Sequence, residues 1–168
     1  MLTTSAPAEL TQLQRETDLV YLCNLMPVPE QSDCSIAATL DIIGDRWTLL
    51  ILRDAFRGVR RFSQFQDDLG IAKNLLSDRL RKLVDAGVFE RIPYQDRPVR
   101  CEYVLTNKGQ DLSPALISLM RWGDRWFADG EPPTVLIHDR CGTPLAQQVL
   151  CPTCDEVVVH EHIRSRKP

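Results

Sequence analysis

A chain of 168 residues, 43% of them hydrophobic, can bury one good core and carry a small appendage. It has no apolar run of about eighteen residues, and its first ten residues have neither the cationic nor the apolar stretch of a secretory signal, so a helical membrane span and export are excluded and the cytoplasm is the expected compartment. The net charge of −3 is wrong for a nucleic-acid binder as a bulk figure, and reducing conditions argue against reading the six cysteines as a disulfide framework.

The charge is unevenly spread. Residues 1–35 hold one Arg against five acids, residues 36–106 hold twelve Lys/Arg against ten Asp/Glu, and residues 107–168 hold seven against eight. Only the middle is basic, and only slightly, so the decisive question is whether its cations share a face.

Residues 1–33 form a leader. An amphipathic stretch from about Glu9 to Leu25 suggests a helix ended by Pro27 and Pro29, either poorly ordered or packed on a partner as an arm. From Ser35 to Phe56, Ile36, Leu40, Ile43, Trp47, Leu50 and Ile51 recur at helical steps; Gly44-Asp45 splits the run into two helices, and Gly58 ends the second. Phe62 to Leu69 is a short helix with Ser63 as its expected N-cap. Gly70 makes a sharp turn into a helix over Ala72–Ala86, whose inner stripe is Leu76, Leu80, Leu83 and Val84 and whose stop is Gly87. Two helices joined by a tight Gly turn make a helix-turn-helix.

Val88–Pro93 and Cys101–Thr106 read as strands. The Tyr94–Pro98 segment between them is expected to project as a loop, because proline at or beside each of its ends limits ladder pairing. Asn107–Phe127 reads as one long helix capped by Thr106, with Leu112, Leu116, Leu119, Trp122 and Trp126 on a broad apolar face. Gly130-Glu131-Pro132-Pro133 is the clearest linker. Beyond it come short β-like runs interleaved with Cys and His, and no internal repeat is visible. The domains are therefore a leader (1–33), a winged helix-turn-helix (34–130) and a Cys/His tail (131–168), in an α+β, mainly α class.

With Leu76, Leu80 and Leu83 inward, Asn74, Asp78, Arg81, Lys82 and Asp85 point outward, flanked by Lys73 and Ser77. Such a helix fits the major groove: Asn can bond adenine and Arg can bond guanine bidentately, while Lys73 and Ser77 suit phosphates. Arg79 falls near the inner edge of the helix and is assigned to a structural ion pair. Arg97 and Arg100 on the wing suit backbone or minor-groove contact, and Arg57, Arg60 and Arg61 suit flanking phosphates. The competing reading is a merely solvated charged face.

In the tail, His138-x2-Cys141 and Cys151-x2-Cys154 are two paired-ligand modules able to wrap a structural tetrahedral Zn2+, in the manner of a small zinc ribbon. His160 or His162 are alternatives to His138, and a thiol/disulfide switch or no special role are alternatives to zinc. Cys34 lies just before the first core helix. It is either a reactive thiol or a buried small residue, and burial is the favoured reading.

Several separated stretches resemble one family. The run Cys34–Leu52 (CSIAATLDIIGDRWTLLIL) is similar to the opening of HxlR-type regulators, relatives of the MarR group. Arg61-Phe62-Ser63 with Phe65, Leu80-Arg81-Lys82-Leu83 through Gly87, Arg100 to Thr106, and Trp122-Gly123 are similar too. The resemblance covers Cys34 to Phe127 and extends more weakly into the tail. It implies a homodimeric winged-helix regulator of double-stranded DNA, probing a near-palindromic operator through two recognition helices, with the terminal helices forming the dimer. It also implies a small-molecule or electrophile effector, with Cys34 at the place of a redox sensor. Ala72 stands where many relatives carry a capping Ser.

The reading that follows is a sequence-specific DNA-binding regulator acting as a repressor. Its rival is a winged-helix and zinc-ribbon module that docks to protein without reading DNA. An enzyme is not expected: there is no Gly-rich phosphate loop, nucleophile elbow or acid–base pair.

Overall fold

The computed structural model describes residues 34–166, so the expected leader helix lies outside the described residues. The chain divides into two compact units between Asp41 and Ile42. Of the first, residues 34–41 carry most of helix α1 (Ser35–Ile43), which opens with the Ala38 N–H donating to the Cys34 carbonyl at 3.1 Å.

The second unit holds the rest of the fold. Helix α2 (Arg46–Phe56) starts where expected, after Gly44: Asp45 is its N-cap, accepting from the Thr48 N–H at 3.1 Å and from the Thr48 hydroxyl. Helix α3 (Phe62–Leu69) has the predicted span but not the predicted cap. Arg61, not Ser63, is its N-cap, and the Gln64 side chain reaches back to accept the Arg61 N–H at 3.0 Å. Gly70 adopts a left-handed conformation (φ 61°) and turns the chain into α4 (Lys73–Asp85).

Two strands follow, β1 (Phe89–Asp96) and β2 (Val99–Leu105), paired antiparallel. The wing departs from expectation: pairing does not stop at Pro93 but continues through Gln95↔Arg100 to Asp96↔Val99. A register shift between Pro93 and Gln95 leaves Tyr94 as the extra, unpaired residue, so the ladder resumes beyond it and the tip shrinks to Arg97-Pro98.

The expected single long helix is also two. Helix α5 (Asn107–Gln110), capped by the Thr106 hydroxyl accepting from the Gly109 N–H at 3.2 Å, ends before α6 (Ser113–Phe127). Pro114 sits in the first turn of α6, where its missing N–H costs nothing, whereas inside a continuous helix it would remove a hydrogen bond. Gly109 is a glycine by necessity: a β-carbon there would collide with the Val88 backbone carbonyl.

The core lies among α2, α3, α4 and the base of the wing. Ile51, Leu52, Phe65, Leu76, Leu80 and Leu83 are fully buried, with Ile71, Val88 and Phe89 nearly so. The predicted stripe of α4 is therefore its inner face, and burying each such Leu contributes about 1.5–3 kcal/mol. Arg79 takes the structural role expected of it: its Nε lies 3.1 Å from Asp45 Oδ1, tying α4 to the cap of α2, although the N–H is not aimed at the oxygen. Among the described residues no helix is long and apolar enough to cross a membrane.

Candidate nucleic-acid interface and cysteine turns

Because Leu76, Leu80 and Leu83 fix the inward face of α4, every residue proposed to face DNA is turned outward. Lys73, Asn74, Ser77, Asp78, Arg81 and Lys82 are all exposed. Ala72 caps the helix without a side-chain hydrogen bond, leaving its first backbone N–H groups open. Arg81 is already engaged: its Nη2 lies 2.6 Å from Asp78 Oδ1, one turn back. Both side chains are more than half exposed, so the pair is worth at most about 1 kcal/mol and exchanges readily for a base edge. A carboxylate such as that of Asp78 has the chemistry to accept from a cytosine amino group.

The cations flanking α4 divide into free and committed groups. Arg97 and Arg100 lie exposed at the wing tip, whose shape is held by the Gln95 amide donating to the Arg97 carbonyl at 3.1 Å. Arg60 is exposed, and its carbonyl accepts from the Tyr103 N–H at 2.8 Å, so the backbone is pinned while the side chain has no ion pair among the described residues. Arg61 has protein partners as well: its guanidinium lies 3.0 Å from Glu102 and stacks 4.5 Å from the Tyr94 ring, joining the wing to the start of α3. Arg57 leans towards the buried Asp54 at 3.7 Å. Sequence reasoning missed Glu102 and Tyr94 as partners of Arg61, and no local signal marks pairs about forty residues apart.

Asp45 sits beneath this surface. Burial alone would raise its carboxyl, but the Thr48 hydroxyl and N–H, together with the Arg79 guanidinium, hold it below the ordinary value.

Cys34 is exposed, which overturns its expected burial as a small residue. Cys101 is half-buried in β2 with the Arg91 guanidinium 3.6 Å from its sulfur.

In the tail the structure brings His138 to Cys141, Nδ1 to Sγ, at 3.2 Å, and Cys151 to Cys154, Sγ to Sγ, at 3.2 Å. Each pair is assembled, yet the two are not gathered into one cluster: among the described residues no three His, Cys, Asp or Glu side chains converge at metal-binding range. The Thr143 hydroxyl and N–H hold the Cys141 thiol below its ordinary value. The Cys154 N–H does the same for Cys151, while Cys154 is raised because its S–H is shared with Cys151. His160 and His162 lie apart from these pairs, in a short 3-10 turn. Between α6 and the tail runs a groove of about 300 Å3, lined by Met120, Arg121, Thr134, Leu136 and Leu145 among others.

Comparison with known proteins agrees with this architecture. The family profile of the HxlR-like helix-turn-helix matches residues 42–131. The HTH-type transcriptional regulator Rv3095 of Mycobacterium tuberculosis (strain H37Rv) is 45% identical over 130 residues, 77% of this chain and 82% of that protein. The regulator sll1512 of Synechocystis is 37% identical over 56% of this chain and 70% of its own. Among solved structures, the transcription factor PA1607 superposes with a TM-score of 0.75 at 39% identity, covering 83% of this chain and 98% of that one. The redox regulator HypR in its reduced form superposes with a TM-score of 0.52 at 30% identity, over 55% of this chain and 92% of that one. With a mainly helical winged-helix fold, an exposed recognition helix and relatives that are transcriptional regulators and not enzymes, the chain belongs to the HxlR-like helix-turn-helix family of transcriptional regulators.

Proposed function

We propose that this protein is a sequence-specific DNA-binding repressor that works as a homodimer, with α4 in the major groove and the wing on the backbone or in the minor groove. The observation that carries the reading is the division of α4 itself: three fully buried leucines on one side, seven exposed polar or charged side chains on the other. Asn74, Asp78 and Arg81 are the base readers. Lys73, Ser77 and Lys82 hold phosphates beside them, and Arg60, Arg97 and Arg100 extend the grip to either side. Arg61 steers the wing through Glu102 and Tyr94 instead of meeting phosphate directly.

The dimer reading rests on exposed apolar helix faces. No residue of α6 is buried, and Trp122, Trp126 and Phe127 are 58%, 62% and 73% exposed. In α1, Ile36 is 72% exposed. Apolar aromatic surface of this extent marks an interaction site. Two copies joined through it would present two α4 helices to a near-palindromic operator, and occupying that operator would exclude competing proteins.

Selection from a random DNA pool with purified protein tests the reading. A two-fold symmetric consensus with half-sites about one helical turn apart is expected, together with a steep fall in affinity with salt. Binding without sequence preference, or no binding at low salt, would favour the protein-docking module instead.

For the signal we assign Cys34, an exposed thiol, to an electrophile or oxidant, a class supported by the similarity to the redox regulator HypR. Diamide should change operator affinity of the parent protein and leave Cys34→Ser unchanged. The groove beside α6 has the size of a small-molecule site and is the alternative seat of an effector.

A further inference from the structure

The tail contains one backbone design used twice, with an offset of thirteen residues. His138 N–H donates to the Thr143 carbonyl at 2.8 Å, and Cys151 N–H donates to the Glu156 carbonyl at 2.9 Å. Leu145 N–H donates to the Leu136 carbonyl at 2.8 Å, and Val158 N–H to the Val149 carbonyl at 2.7 Å. The isolated bridges Ile137↔Pro144 and Leu150↔Val157 correspond in the same way. Gly142 and Asp155, each directly after the second ligand candidate, both take a positive φ (69° and 55°). Asp155 is the single non-glycine residue in that region among the described residues, a conformation that generally carries strain in a side-chain-bearing residue. The Gly142 N–H returns to the His138 carbonyl at 2.8 Å and the Asp155 N–H to the Cys151 carbonyl at 2.9 Å.

We propose that these two turns close on a single Zn2+ held by His138 Nδ1, Cys141, Cys151 and Cys154, and that the ion is the core of the tail. Each turn already presents two ligand atoms at 3.2 Å. Bonds of about 2.0–2.3 Å to zinc set neighbouring tetrahedral corners about 3.5–3.8 Å apart, so each pair needs only a small adjustment to span one edge. Two edges make the four-ligand closed site of structural zinc; among the described residues the two pairs do not converge, so the turns must approach each other as the ion binds. The three thiols release their protons to solvent as the ion binds.

The second argument is that the tail has no buried apolar core of its own. Among residues 134–166 none is buried, and Ile137, Val149, Leu150, Val157 and Val159 are exposed. A segment this short cannot supply a hydrophobic core, and isolated hairpins are marginal in water. The segment between the turns is moored to α6 by the Arg121 guanidinium on the Leu145 carbonyl and by the Gln147 amide on the Pro114 carbonyl at 2.7 Å.

The test uses the full chain, freshly purified under reducing conditions, with metal counted by elemental mass spectrometry. About one zinc per chain is expected, falling to near zero in Cys141→Ser, Cys151→Ser and Cys154→Ser. Cobalt added to the metal-stripped chain should give the intense visible bands of a tetrahedral site and sulfur-to-cobalt charge transfer. His138→Ala should weaken those bands, and His160→Ala and His162→Ala should not. Absence of metal together with absence of a tetrahedral cobalt spectrum overturns the site; a Cys151–Cys154 disulfide in metal-free protein does so too. Loss of cobalt binding in His160→Ala or His162→Ala instead of His138→Ala overturns the ligand set. Far-ultraviolet circular dichroism of each variant separates ligand loss from failure to fold, and no readout depends on DNA binding.

Discussion

The winged-helix body and the Cys/His tail are two solutions to the same problem of holding a chain together. In the body, Ile51, Leu52, Phe65, Leu76, Leu80 and Leu83 are wholly withdrawn from water. In the tail the apolar side chains stay on the surface, and order comes from a repeated set of backbone hydrogen bonds. An apolar core is non-directional and sums over many residues, so it tolerates small changes and fails at large ones. A pair of hydrogen-bonded turns contributes little net free energy without something bound between them. The contrast teaches where each part is vulnerable: the body to cavities and overpacking, the tail to loss of its backbone hydrogen bonds.

The sharpest way to break the comparison is a cavity. Leu80→Ala should cost about 2–5 kcal/mol in urea unfolding monitored by circular dichroism, because it empties the centre of the core. Leu150→Ala in the tail should cost less than about 0.5 kcal/mol, since Leu150 is 52% exposed. Equal losses at the two sites would mean that the tail has a core of its own.

Overpacking comes next. Gly109→Ala places a methyl against the Val88 carbonyl and near Leu105, both backbone and side chain at the junction of β2 and α5. A loss of about 1–3 kcal/mol in the same measurement is expected. A neutral substitution would show that the strand–helix junction is not rigid.

On the surface that these cores support, the effects fall on binding and not on folding. Arg81→Ala should cost about 1–3 kcal/mol on the selected operator and little on random DNA, read by fluorescence anisotropy. Arg97→Ala should weaken both alike and flatten the salt dependence. If Arg97→Ala proved sequence-selective, the wing would be reading bases.

The sequence made the body legible because its signals are local. Leu76, Leu80 and Leu83 recur at helical steps, Gly70 marks a left-handed turn, and Gly44-Asp45 marks a break, so local pattern alone places α2, α3 and α4. What escaped depends on partners distant in the chain. Nothing local to Arg61 signals that Glu102 and Tyr94 lie beside it. The wing ladder past Pro93 depends on a register shift that propensity does not encode. Pro114 did offer a local signal for the break before α6, but the apolar periodicity across it is continuous and masks it. The thirteen-residue repeat of the tail was hidden because corresponding positions share a conformation and not a chemistry: His138 matches Cys151, Gly142 matches Asp155, and Thr143 matches Glu156.

The smallest expected effect concerns the joint between α2 and α4. Asp45 caps α2 and lies 3.1 Å from Arg79 of α4, and its carboxyl is held below the ordinary value despite burial. A carboxyl whose pKa is lower folded than unfolded contributes stability that is complete above its unfolded value of about 3.9 and disappears as pH falls through the folded value. Asp45→Asn keeps a good capping side chain but removes the charge, so at neutral pH it should cost no more than about 1 kcal/mol. The substitution should also flatten the part of the acid-unfolding curve below about pH 4 that belongs to this group. Tail substitutions such as Leu150→Ala should leave that curve unchanged. An Asp45→Asn protein whose acid unfolding superposes on that of the parent would mean that Arg79 and Asp45 are neighbours without coupling, and that α4 is oriented by its leucines alone.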